Sequence, residues 1–277
     1  MANQPVVLIT GTSSGIGQAT AELLAANGFT VFGTSRKPDP IVRSYTVLPM
    51  DVRSDTLVEA AVQSILEQTG QIDVLINNAG YTQFGAIEEN TIADMEAQFD
   101  TNLFGIMRLT NAVLPKMRGQ SGGRIINVSS VVGHVALPYF GLYATSKFAL
   151  EGLTEALRYE VRQFNIHVSL VEPGFVRTHI KGQPPTNPIA DYAPARQAAV
   201  QFVRARVESG MEPEAVAQTI LRIAMTARPR LRYRVGRAAN LLITLKQLLP
   251  EPLFDQVRRR VFNSASTTAA KPRLEAL

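Results

Sequence analysis

Val6-Val7-Leu8-Ile9-Thr10-Gly11-Thr12-Ser13-Ser14-Gly15-Ile16-Gly17 joins an apolar run to a glycine-rich turn and the start of an amphipathic segment. The uncharged run Val6–Thr10 reads as a strand buried on both faces. Ile16, Ala19, Leu23 and Leu24 then recur at helical spacing, which predicts a helix over about Gly15–Asn27. A glycine turn carries chemical meaning when it follows a strand and opens a helix. Gly11 permits the tight turn, Gly15 lets backbone approach a diphosphate, and Gly17 lets the helix pack closely. With Ser13, Ser14 and Ile16, the turn presents free N–H groups and the positive end of a helix dipole to phosphate oxygens. Read without its neighbours, the stretch is an ordinary glycine turn. Its position straight after a strand favours the phosphate cradle.

The alternation continues. Apolar runs at Thr30–Thr34, Thr46–Met50, Asp73–Asn77, Gly123–Ser129 and His167–Glu172 predict strands. Helical patterns at Leu57–Gln68, Thr91–Met117 and Tyr143–Phe164 separate them. Such strands between helices predict a mostly parallel, seven-stranded sheet covered on both faces, in one doubly wound α/β domain over 1–263. After Pro173 the texture changes. Pro184, Pro185, Pro188 and Pro194 interrupt 179–195, so 179–210 is expected to be a mobile substrate loop or lid. Helices are expected near 196–209 and 212–226, with a last strand at Tyr233–Val235. C-terminal helices follow within 239–263, over Leu241–Leu249 and Leu253–Phe262, and a disordered tail over 264–277.

Composition narrows the function. The 277 residues are 45% hydrophobic, enough to bury a core without staples. The absence of cysteine excludes disulfides, thiolate metal sites and a cysteine nucleophile. The only histidines, His134, His167 and His179, are far apart in the chain, so no metal site is expected and His134 is expected to be structural. The net charge of +5 suits an anionic ligand. No basic run is interleaved with aromatics and there is no tryptophan, which argues against nucleic acid. The first residues lack a signal-peptide pattern, and no run of about 18 uncharged apolar residues predicts a spanning helix. The expected compartment is the cytoplasm.

The end of the second strand reads Thr34-Ser35-Arg36-Lys37. A carboxylate there would bind a ribose diol; two cations instead suit a 2′-phosphate, which favours NADP(H) over NAD(H). The plainer alternative for Arg36 is a solvated loop charge. Asp51, with Val52 after it, is a candidate for the adenine amino group or, alternatively, a helix cap.

Tyr143-Ala144-Thr145-Ser146-Lys147 places a phenol and an ammonium on one helix face. A phenol titrates near pH ~10, and a nearby ammonium is expected to bring it down toward a working acid/base. Lys147 can also donate to a nicotinamide ribose. Ser130, thirteen residues upstream of Tyr143, offers a hydroxyl to polarise a carbonyl. Asn102 offers an amide to hold a water that relays protons to Lys147. Each is unremarkable alone; together, downstream of a phosphate turn, they point to hydride transfer with Tyr143 as general acid/base.

In these motifs the chain resembles the short-chain dehydrogenase/reductase family, over about residues 5–180. The motifs stand in the family's order: Thr10–Gly17; Asp51; Asn77-Asn78-Ala79-Gly80; Ser130 with Tyr143 and Lys147; and Pro173-Gly174 followed by Thr178. The resemblance implies a catalytic set of Asn102, Ser130, Tyr143 and Lys147. It also implies cofactor contacts from Asn78, Ala79, Gly80, Pro173, Gly174, Val176 and Thr178. Ser146–Leu153 and Pro229–Gly236 are similar to the hydroxysteroid and retinol dehydrogenase branch, which implies a bulky apolar substrate. Leu137, Phe140 and Phe175 are candidate pocket residues, or ordinary core. The family's habit implies a homodimer or homotetramer. Two further readings stand beside this one: an acyl-chain ketoreductase on the same frame, and a non-catalytic NADP-binding regulator.

Overall fold

A computed structural model describes residues 4–38, 41–178, 180 and 182–259. All five residues of β1 (Val6–Thr10) are buried, as an uncharged run between two helical layers requires. Its alternate side chains serve opposite faces, with Val7 and Ile9 in one core and Val6 and Leu8 in the other. The remaining strands are β2 (Thr30–Ser35), β3 (Thr46–Pro49), β4 (Val74–Asn77), β5 (Thr82–Gln83), β6 (Gly123–Val128), β7 (Ile166–Pro173), β8 (Gly182–Gln183) and β9 (Arg232–Val235). Seven of them form one sheet in the order β3-β2-β1-β4-β6-β7-β9. Every pairing in it is parallel. The strand order reverses between β1 and β4, which opens a crevice at their carboxyl ends.

The helices are α1 (Gly15–Ala26), α2 (Asp55–Thr69), α3 (Ile92–Phe99), α4 (Gly105–Gly119), α5 (Gly141–Val161), α6 (Ala193–Glu208), α7 (Pro213–Met225) and α8 (Arg237–Leu248). On one face Leu24 of α1 and Val216 and Ile220 of α7 pack on Val7 and Ile9. On the other, Val62 of α2 and Leu109 and Val113 of α4 pack on Leu8 and Leu75. Each such aliphatic side chain, removed from water, contributes about 1.5–3 kcal/mol.

Three expectations change. The helix predicted over Thr91–Met117 is two helices joined by a π-helical turn, Asp100–Phe104. The extra residue per turn widens the helix at Asn102, whose side chain is bonded to the strand-side backbone rather than to solvent. Pro194, assigned to the lid, lies in the first turn of α6, where a missing N–H costs nothing. The rest of the proline-rich segment is fastened down. β8 pairs with β5, Pro184 O accepts from Gln83 Nε2 at 2.9 Å, and Thr186 Oγ1 donates to Asp94 at 2.7 Å. Buried Glu89 holds Ile189 N at 2.9 Å and pairs with Arg196. Beyond α8 the chain is again helical over 251–259. His179, Phe262 and the tail 264–277 lie outside the described residues.

Candidate active site

The crevice at the strand ends collects the polar residues. Gly11 and Gly15 have φ of 72° and 59°, in the left-handed region that favours glycine. A Cβ on Gly17 would lie 2.2 Å from Gly11 O and 2.5 Å from Asn78 Nδ2, so only hydrogen fits. Thr34 O accepts from the N–H groups of Gly11 and Thr12 at 3.1 and 3.0 Å. Asn78 donates to Thr10 O at 2.9 Å and Gly11 O at 3.1 Å, while Thr10 Oγ1 accepts from the N–H groups of Asn78 and Ala79. Asn78 therefore clamps the turn to β4. Thr178 closes the other side: a Cβ on Gly15 would meet its Cγ2 at 3.0 Å.

Ser14 makes no side-chain cap, and the first turn of α1 carries no acid. The N–H groups there are aimed out of a cradle that a Cβ would fill. That chemistry fits the diphosphate of a dinucleotide.

Arg36 and Lys37 are exposed just past β2. Asp51 is bound by Arg53 at 2.7 Å. The Arg53 hydrogen bond holds the Asp51 carboxyl below the usual range, and the charge of Arg36 adds to the effect. Sequence reasoning did not find Arg53; no motif marks a cation two residues past an acid. The cap of α2 is Ser54, which accepts from Leu57 N at 3.3 Å, rather than Asp51. Val52 is buried, with its side chain where a Cβ on Gly105 would clash at 2.8 Å.

Tyr143 and Lys147 lie one turn apart on α5, facing the end of β6, and Ser130 lies just past that strand. The Lys147 ammonium is buried and donates to Val128 O at 2.8 Å. Its nitrogen is 5.9 Å from the centre of the Tyr143 ring. Burial pushes the lysine down to about 8, against the opposing charge of Glu151. Burial pushes the Tyr143 phenol up to about 12, and the hydrogen bond with Ser130 opposes the rise. The net shift is opposite to the one expected from Lys147: desolvation dominates at the phenol, while the ammonium also serves the Val128 carbonyl.

Asn102 is fully buried. Its Oδ1 accepts from Tyr81 N at 3.2 Å, and its Nδ2 donates to Tyr81 O at 3.0 Å and Ser146 Oγ at 3.3 Å. Ser146 in turn donates to Tyr143 O at 2.7 Å. The Asn102 amide ties the segment after β4 to the helix that carries Tyr143. Gly80 passes close by: a Cβ there would be 3.3 Å from Asn102 Oδ1.

Among the pocket candidates, Leu137 packs half-buried beside Tyr143, Val131 and Val132. Phe140 is buried, its ring 6.4 Å from that of Phe84, so it belongs to the core. Phe175 is half-buried, with its carbonyl accepting from Met211 N at 3.1 Å. Pro173 ends β7, Gly174 N donates to Val235 O at 3.0 Å, and Val176 is buried. A cleft of about 510 Å³ lined by Ile87, Leu137, Tyr139, Gly141, Arg258 and Arg259 opens beside this group. A separate cleft between α2 and α4 is lined by Asp55, Met107 and Arg108.

Residues 5–188 match the family model described as short chain dehydrogenase. The chain is 37% identical over 262 residues to 3-ketodihydrosphingosine reductase of Bacteroides thetaiotaomicron, covering 93% of this chain and 97% of that protein. It is 38% identical over 281 residues to retinol dehydrogenase 8 of Bos taurus, covering 90% and 88%. The solved structure of a short-chain dehydrogenase from Streptomyces avermitilis superposes with a TM-score of 0.80 at 32% identity, covering 97% of this chain and 99% of that one. A Burkholderia phymatum short chain dehydrogenase/reductase, solved in complex with NAD, gives 0.77 at 26% identity, covering 88% and 92%.

Proposed function

The chain belongs to the short-chain dehydrogenase/reductase family of nicotinamide-dependent oxidoreductases, and from that premise we propose an NADP(H)-dependent ketone reductase and secondary-alcohol dehydrogenase acting on an apolar substrate. The observation that carries this reading is the placement of Tyr143 and buried Lys147 one turn apart on α5, with the Lys147 ammonium on Val128 O at the end of β6 and Ser130 just past that strand.

The Gly11–Gly17 turn, with Ser13, Ser14 and Ile16, would hold the diphosphate at the N-terminus of α1. Asp51, Val52, Asn78, Ala79 and Gly80 would border the adenosine half, and Pro173, Gly174, Val176 and Thr178 the nicotinamide half. Arg36, at the end of a strand that lacks an acid, supports preference for a 2′-phosphate, and Arg53 nearby adds a second cation. When bound, the nicotinamide supplies or accepts the hydride.

This chain's residues manage the proton and the oxygen. Ser130 donates a hydrogen bond to the substrate oxygen. Tyr143 holds a proton at its phenol, kept there by burial, and releases it to the far more basic alkoxide oxygen formed on reduction. The Lys147 ammonium stabilises the phenolate left behind. Asn102 acts on this arrangement through Ser146, fixing the backbone at Tyr143.

The relatives named for a ketodihydrosphingosine and a retinol support an apolar substrate, with half-buried Leu137 and Phe175 as wall candidates. We place the enzyme in the cytoplasm as a homodimer or homotetramer, and no helix among the described residues is long and apolar enough to cross a membrane. A panel of apolar ketones with NADPH and with NADH, followed by nicotinamide absorbance, tests the proposal. Turnover should be faster with NADPH and lost in Tyr143→Phe with cofactor affinity retained. Tight NADPH binding without turnover of any ketone would point instead to a regulator.

A further inference from the structure

Behind Lys147, away from Tyr143, lies a group of charges that the chemistry above does not use. Glu151 follows Lys147 by one helical turn on α5 and is 6% exposed. Glu172, on β7, is fully buried. His134 Nε2 is 3.2 Å from Glu172 and 3.6 Å from Glu151. Arg232 Nε, from β9, is 3.1 Å from Glu151 and 3.4 Å from Glu172. Arg234 reaches Glu172 at 3.7 Å, and Glu155 takes the outer edge of Arg232 at 2.9 Å. Lys246 of α8 donates to the His134 carbonyl.

We propose that Glu151 is a positioning residue for the proposed reaction: its carboxylate holds Lys147 as the ammonium ion, and Arg232 and His134 keep that carboxylate buried in place. The inference rests on the reading of Tyr143 and Lys147 given above. Among the described residues the Lys147 ammonium has one hydrogen bond, to the neutral carbonyl of Val128. A buried cation with only a neutral acceptor sheds its proton readily. Glu151 is the one charge that opposes this, and the lysine is already pushed down to about 8 with that help included. Without it, Lys147 would titrate within the working range, and the phenolate of Tyr143 would lose its counter-charge.

The Glu151 carboxyl stands under opposing influences. Burial and the Glu172 charge push its carboxyl up, while His134, Arg232 and the Ser129 hydroxyl oppose them. The Arg232 contact is a charge-assisted one at ordinary bonding distance. The guanidinium of Arg232 lies against both buried carboxylates, and that of Arg234 against Glu172.

The test is the pH profile of kcat/KM for ketone reduction in the wild type, Glu151→Gln and Glu151→Asp. The alkaline limb should move down by about one pH unit in Glu151→Gln. The ratio of variant to wild-type activity then falls about tenfold from the neutral plateau to alkaline pH. Glu151→Asp, which keeps the charge, should return the limb toward the wild-type position. A ratio that is lowered equally at every pH, or a limb that does not move, overturns the proposal. Should Glu151→Gln fail to fold, NMR of labelled lysine in the cofactor-free wild type gives the answer. The Lys147 signal, assigned by its loss in Lys147→Met, should show an acid inflection as Glu151 takes up a proton; no inflection overturns the inference. A wild type that reduces no ketone would defeat the functional reading, while the NMR titration would still decide the role of Glu151.

Discussion

Replacing Lys147 with methionine should stabilise the protein while abolishing turnover. Lys147 is 6% exposed, and burial depresses its value from 10.5 to about 8. At about 1.4 kcal/mol per pH unit, keeping it charged in the fold costs about 3 kcal/mol. Methionine has a similar unbranched stem and no charge. It forfeits the hydrogen bond to Val128 O, a loss of about 1 kcal/mol. The net gain is about 2 kcal/mol at pH 7, or roughly 4–8 °C in Tm for a domain of this size. The sign follows from linkage. Below pH 8 the lysine is charged in both states, so the whole penalty is present. Between about 8 and 10.5 the folded state releases the proton first, and the wild type gains on the variant. Above 10.5 both states are neutral and the advantage of the variant is gone. Thermal and denaturant unfolding of the two cofactor-free proteins, at steps from pH 6 to 11, measures this difference. A Lys147→Met protein less stable than wild type at pH 7, or a gap that stays constant across that window, would refute the reasoning.

Other outcomes follow from the same geometry. Gly17→Ala should unfold the glycine turn or cost about 3 kcal/mol, because its Cβ meets Gly11 O at 2.2 Å; chemical denaturation and NADPH fluorescence titration both read this. Gly28→Ala is the control for position, since nothing lies within 4 Å of a Cβ there, although its φ of 83° carries its own strain. Arg36→Ala should weaken NADPH binding about tenfold, the worth of one charge-assisted contact, and leave NADH binding as it was. Equal weakening of both cofactors in calorimetry would remove Arg36 as the reader of the 2′-phosphate.

Much of the fold was legible because its signals are local. The apolar run at Val6–Thr10, the turn at Gly11–Gly17 and the periodicity of α1 each lie within a few residues. Parallel strands buried on both faces must be apolar throughout, and that rule alone located β2, β4, β6 and β7. The π-helical turn at Asp100–Phe104 was not legible, because Asn102 is held by Tyr81 and Ser146 from other elements. The ties of the proline-rich segment were not legible for the same reason: its prolines mark a loop in sequence, while Glu89, Asp94 and Gln83 bond to it from afar.

The candidate site divides along that line. Spacing by itself placed Tyr143 and Lys147 on one face of a helix, since a turn of helix is a local geometry. Only the tertiary structure decided their charges. Burial, which no single residue carries in its own identity, raises the phenol and lowers the ammonium. The opposing carboxylate of Glu151 is held by Arg232, from a strand far along the chain. Identity and spacing state which groups can meet, whereas desolvation and long-range partners set the form in which they meet.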